Sequence, residues 1–138
     1  MIGDPLPKAL SGLRLPAVAA PLFIISTPDL VIAQCKAGVI GSFPALNARQ
    51  KDGAPNMLEI WLKRITEELD RHNQANPDTP AAPFAVNQIV HRSNERLQND
   101  IEICAKWKVP IWITSLGARV EVNQAAHSCD GVVLHDII

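Results

Sequence analysis

Tyrosine is absent from this chain, and its three cysteines, Cys35, Cys104 and Cys129, are widely spaced and form no CxxC pair. An odd, scattered set argues against a disulfide framework and against a metal site. Cys35 and Cys104 fall on apolar helix faces and read as small buried hydrophobes. No block of lysine or arginine stands out and the net charge is −1, so nothing here has the electrostatic footprint of a nucleic-acid binder. No apolar run approaches the roughly 18 residues that span a bilayer. Met1–Leu13 lacks the basic start and apolar centre of a signal peptide. A cytoplasmic location is the default expectation. The GxGxxG, P-loop, GxSxG and HExxH motifs are all missing, so no nucleotide fingerprint, hydrolase elbow or zinc-protease helix announces a chemistry.

What the chain does contain is regular alternation. Its 138 residues, 47% apolar and 20% charged, suit one domain over residues 1–138. Apolar strands are predicted at about Ala17–Ala20, from Val39, at Pro83–Val90, at Ile111–Ser115 and at Val132–Ile138. Helical patterns separate them. Thr27-Pro28-Asp29 reads as a helix start, with a cap, a first-turn proline and an acid. Asn56 with Glu59 opens a helix whose apolar face is Leu58, Trp61, Leu62, Ile65 and Leu69. Ser93 or Asn94 precedes a third, with Leu97, Ile101, Cys104 and Trp107 on one face, and a shorter helix surrounds Val120–His127.

Five strands alternating with four helices is a parallel α/β layout, and Met1–Leu13 reads as a mobile lead-in. A (β/α)₈ barrel needs about 250 residues, so the chain supplies about half of one. It stops on an apolar strand with no helix after it. That leaves two arrangements, an open five-stranded sheet or part of a larger TIM barrel, and the abrupt ending favours the second.

Parallel α/β folds place ligands at the C-terminal ends of their strands. The polar groups predicted there are Ser42, Asn87, Thr114, Ser115, His135 and Asp136. Ala19-Ala20-Pro21 and Gly41-Ser42 end their strands with little side-chain bulk, so a flat ligand can lie on bare backbone. Asn87 sits within an apolar strand, and its amide suits the imide edge of a flavin or a nucleobase. His91 follows the third strand and is placed to line a pocket mouth.

The ordered set LRLPAVAAPLFIIS, CKAGVIGSFPALNAR, PFAVNQIVHRSN, VPIWITSLGA and GVVLHDII resembles the N-terminal half of the nitronate monooxygenase (2-nitropropane dioxygenase) family. The resemblance implies an FMN-containing (β/α)₈ barrel that oxidises alkyl nitronates with O₂. It implies that backbone groups of Ala20, Pro21 and Leu22 lie along the flavin. It also places Ser42 beside the ring, Asn87 on its pyrimidine edge and Phe23 in the wall of the substrate pocket. Some relatives carry a lysine after the last histidine, where this chain has Asp136. The family's catalytic histidine lies in a later glycine-rich segment, so no catalytic residue is expected within residues 1–138. The competing expectation is a catalytically inert half-barrel that forms a homo-oligomer through its open sheet edge.

Overall fold

A computed structural model describes residues 6–53 and 56–138. Helix α1 runs Pro28–Lys36, with Thr27 in extended conformation before it and Asp29 in its first turn. Gly38 follows with φ +94°, a conformation open to glycine at no steric cost. Strand β1 is Gly41–Pro44, helix α2 Met57–Ala75, strand β2 Phe84–Ile89, helix α3 Leu97–Lys106, strand β3 Ile111–Ser115, helix α4 Val120–Ser128 and strand β4 Val132–His135. The α2 start is capped as its sequence requires, Asn56 Oδ1 accepting from the Leu58 N–H at 3.1 Å.

The strands lie in the order β1-β2-β3-β4 and all pair in parallel. This is the alternating β/α architecture of part of a TIM barrel, with four strands among the described residues where the sequence predicts five. The segment expected as the first strand makes a single bridge, Val18 to Ile40. Ala19 N–H donates to Ile40 O at 2.8 Å and Ile40 N–H to Ala17 O at 3.1 Å. Pro16 and Pro21 flank these residues, and neither has an N–H to extend a ladder. The segment keeps a strand's place without its length.

Two apolar layers sandwich the sheet. On the helix-covered face Phe43, Val86 and Trp112 meet Val31, Cys35, Leu58, Leu62, Leu97 and Val122. Trp112 is fully buried, and its Nε1–H donates to Val109 O at 2.9 Å; left unmade there, that bond would cost about 1–3 kcal/mol. On the inner face Ile40, Ala85, Ile111 and Ile113 form a smaller cluster, joined by Leu134 and by Ala9, Leu10 and Leu13. Of the lead-in, residues 1–5 lie outside the described residues, while Lys8–Leu10 form a 3-10 turn.

Gly41 begins its strand instead of ending it, and its smallness serves the helix, not a flat ligand. A Cβ there would lie 2.6 Å from Val31 O and 3.0 Å from Cys35 Sγ. Cys35 packs into this contact fully buried, accepting from Gly41 N–H at 3.4 Å. Burial pushes its thiol up to about 11. Gly41→Ala is expected to cost about 1–3 kcal/mol through this overlap, measured by urea denaturation. An unchanged midpoint would contradict the close packing.

Candidate functional site

Side chains alternate between the two faces along each strand, and this alternation sorts the candidate residues. Ser42, Asn87 and Ser115 share the inner face with Ile40, Ala85 and Ile113. Thr114 and His135 share the parity of Trp112 and Val133, which face the helices. They contact each other, Thr114 Oγ1 lying 2.5 Å from His135 Nδ1. Thr114 is fully buried and His135 is exposed. The structure thus brings Asn87 and Ser115 together and sets Thr114 and His135 on the opposite side.

Asn87 is almost fully buried. Its Nδ2 donates to Ile113 O at 3.1 Å and to Ser115 Oγ at 2.7 Å. A carbonyl can only accept, so the Ile113 contact orients the amide. Both donor hydrogens are used, and among the described residues Asn87 Oδ1 receives no hydrogen bond. The residue is therefore a positioned acceptor. Ser42 is fully buried, and its hydroxyl donates to Ala19 O, bracing the bridge segment against β1.

His91 makes no hydrogen bond to this pair and is exposed in the loop after β2. Ser93 N–H donates to its Nδ1 at 3.2 Å and Ser93 Oγ lies 2.7 Å from the same nitrogen. Nδ1 is thus an acceptor, which puts the proton of a neutral ring on Nε2. His91 borders a cavity of about 220 Å³ with Arg92, Glu95, Arg119 and Glu121.

Ala20 and Leu22 are exposed and Pro21 is half-buried. Beyond them Leu22–Ser26 folds into a tight loop. Ser26 N–H donates to Leu22 O at 3.0 Å, and Leu22 N–H to Ser26 Oγ at 2.8 Å. Inside it, Ile25 N–H donates to Phe23 O at 2.8 Å around Ile24, whose φ is +68°. A β-branched residue in this region is strained by about 1–3 kcal/mol and persists only where its surroundings over-determine it. Here the surroundings are Asn47. Its Nδ2 donates to Leu22 O at 2.9 Å and to Ser26 O at 3.0 Å, and its Oδ1 accepts from Ile24 N–H at 3.1 Å. Sequence reading missed this residue, because contacts across 21 to 25 positions have no periodic signature.

Asp100 was missed as well. It is fully buried at the start of α3 and pairs with Arg96 at 3.1 Å, while Arg96 Nη2 also donates to Ala45 O at 3.4 Å. The pair therefore braces the exit of β1. Asp100 occupies the apolar stripe Leu97–Ile101–Cys104, and that spacing was the available signal. Its Oδ2 has no partner among the described residues. Burial raises the Asp100 carboxyl above its ordinary range, opposed by Arg96.

No family model matches this chain, and no curated protein matches it. Among solved structures it is similar to a FabK mutant from Thermotoga maritima, at 18% identity and a TM-score of 0.69. The match covers 92% of this chain and 37% of that one. The likeness shows the fold. It agrees with the sheet order and the βα alternation in identifying the architecture as part of a TIM barrel, and the chain spans well under half the length of its structural neighbour. No helix among the described residues is long and apolar enough to cross a membrane.

The raised Asp100 carboxyl carries a sign. The native state holds a proton that the unfolded chain has already released, so this contribution is complete below the ordinary aspartate value and is lost as pH rises through the folded one. Asp100→Asn keeps an acceptor for Arg96 and removes the titration. Its stability is expected to fall less than wild type's as pH climbs from about 3.9, read from urea midpoints across pH. Parallel profiles would contradict the assignment. The half-buried Glu59 and Glu68, whose carboxyls are lowered by Lys106 and Arg71, act in the opposite direction in both proteins.

Proposed function

We propose that the C-terminal end of this sheet holds the isoalloxazine of FMN, and that the protein belongs to a flavin-dependent oxidation of alkyl nitronates with O₂. The observation that carries the reading is Asn87, an amide fixed through its donors with its acceptor left over on the inner face. A flavin imide presents one N–H to such an oxygen. Ala20–Leu22 lie roughly two strand spacings away, about 10 Å, a span that a fused planar ring can bridge. The Ser42–Ala19 contact holds that main chain in place.

The flavin, when bound, supplies the electron-accepting chemistry. The residues present would bind and orient it: Asn87 Oδ1 at the imide edge, Ser115 as the brace that sets the Asn87 rotamer, and the Ala20–Leu22 backbone beneath the ring. Phe23 stands at the substrate side. Thr114 and His135 contact each other on the helix-facing side of the sheet, and His91 stays available to the pocket mouth from the loop after β2. A small nitronate and O₂ are the reactants the reading requires.

A second reading, self-association into an inert homo-oligomer, has one observation in its favour. Among the described residues β4 pairs only with β3, which leaves a strand edge of the kind that recruits another chain.

Titration with FMN, followed by quenching of flavin fluorescence, separates the two. Asn87→Ala removes one neutral hydrogen bond to ligand, about 0.5–1.5 kcal/mol, so its Kd is expected to rise about two- to tenfold. Wild-type protein that leaves FMN fluorescence unquenched while sedimenting as a concentration-dependent dimer would favour self-association. Equal Kd values for wild type and Asn87→Ala would remove Asn87 from the site.

A further inference from the structure

We propose that Asn47 is a positioning residue, holding Leu22–Ser26 as a preformed apolar wall against which the alkyl group of the substrate packs. The inference rests on the flavin and nitronate reading above and adds to it the residue that sets the preference for chain length.

Three features converge on this loop. Leu22, Phe23, Ile24 and Ile25 are four consecutive apolar side chains, 45%, 62%, 64% and 63% exposed. Exposure of that kind on a mobile loop would mean little. Here the backbone beneath it is fixed from both directions, by the Leu22–Ser26 contacts within the loop and by the three hydrogen bonds from Asn47. The left-handed conformation of Ile24 is held at the centre of that clamp. A wall already ordered gives up no conformational freedom when a ligand lands on it, so more of the contact appears as affinity.

The third feature is charge. Arg49, two residues beyond Asn47, places its guanidinium 5.7 Å from the centre of the Phe23 ring. A cation at the border of an apolar wall suits a small anionic head with an alkyl tail. Each methylene laid on the wall is worth about fourfold in affinity if fully buried.

The experiment uses the FMN-loaded protein with the nitronates of nitroethane, 1-nitropropane and 1-nitrohexane. Amide hydrogen exchange is followed on the same samples. In Asn47→Ala the Ile24 and Ser26 amides are expected to exchange at least tenfold faster, while those of Val86 and Ile113 keep their protection. The Kd of the hexyl nitronate, read from the perturbation of flavin absorbance, should rise about tenfold, with that of the ethyl nitronate nearly unmoved. Phe23→Ala changes an exposed side chain, so folding does not depend on it. It should abolish the same chain-length preference and leave the loop amides protected. Retained Ile24 protection in Asn47→Ala would overturn the clamp, and an unchanged chain-length preference in a loosened loop would overturn the wall. Wild-type protein that takes up no FMN would overturn the flavin reading instead, while the exchange measurement would still decide whether Asn47 holds the loop.

Discussion

The parallel register of β1, β2 and β3 is the constraint on which the rest depends. Pairing Pro44 with Asn87 and Asn87 with Ile113 puts one amide on the inner face, level with the last residue of β1 and two residues short of the ends of β2 and β3. A slip of one residue would send Asn87 into the helices and Gln88 inward. The register is in turn locked by what lies on the helix-covered side. Phe43, Val86 and Trp112 fill that layer, and Gly41 lets α1 approach the backbone so closely that no side chain fits between. The polar site is therefore precise because the apolar face behind it has no slack.

Around this frame, a few long-range polar contacts fix the loops. Ser42 ties the proline-bounded segment to β1, Asn47 ties Leu22–Ser26 to the end of β1, and Arg96 ties α3 to the same place through Ala45 O. All three converge on the exit of β1. The proposed ligand surface is thus built around the one strand whose neighbour on the far side is a single bridge. Hydrogen bonds to carbonyls do there what ladder pairing does elsewhere in the sheet.

Much of the architecture was legible in the sequence. Pro28, Asn56 and the glycines mark element boundaries through local chemistry, and the leucine and isoleucine spacing of α2 indicates which face is buried. The expected length of the first strand failed because Pro16 and Pro21 forbid the ladder on both sides of it. The two-residue period of β3 separates Ser115 from Thr114, since adjacent strand residues face opposite ways. Asn47 was beyond reach of any local pattern, since its partners lie far back in the chain. Asp100 has a local signal, since its spacing sets it on the apolar stripe of α3, but nothing in that pattern names its partner Arg96 as a brace for β1.

The central claim is that a flavin lies on the C-terminal end of this sheet. The opposite end offers a rival, a cavity of about 430 Å³ lined by Lys8, Ala82, Phe84, Lys108 and Asp130. Titrating FMN into uniformly ¹⁵N-labelled protein tests the choice directly. With a flavin at the C-terminal end, the Asn87 side-chain amide and the backbone amides of Ala20 and Leu22 shift with increasing FMN, while those of Ala82, Phe84 and Lys108 stay still. Shifts confined to the second set would contradict it.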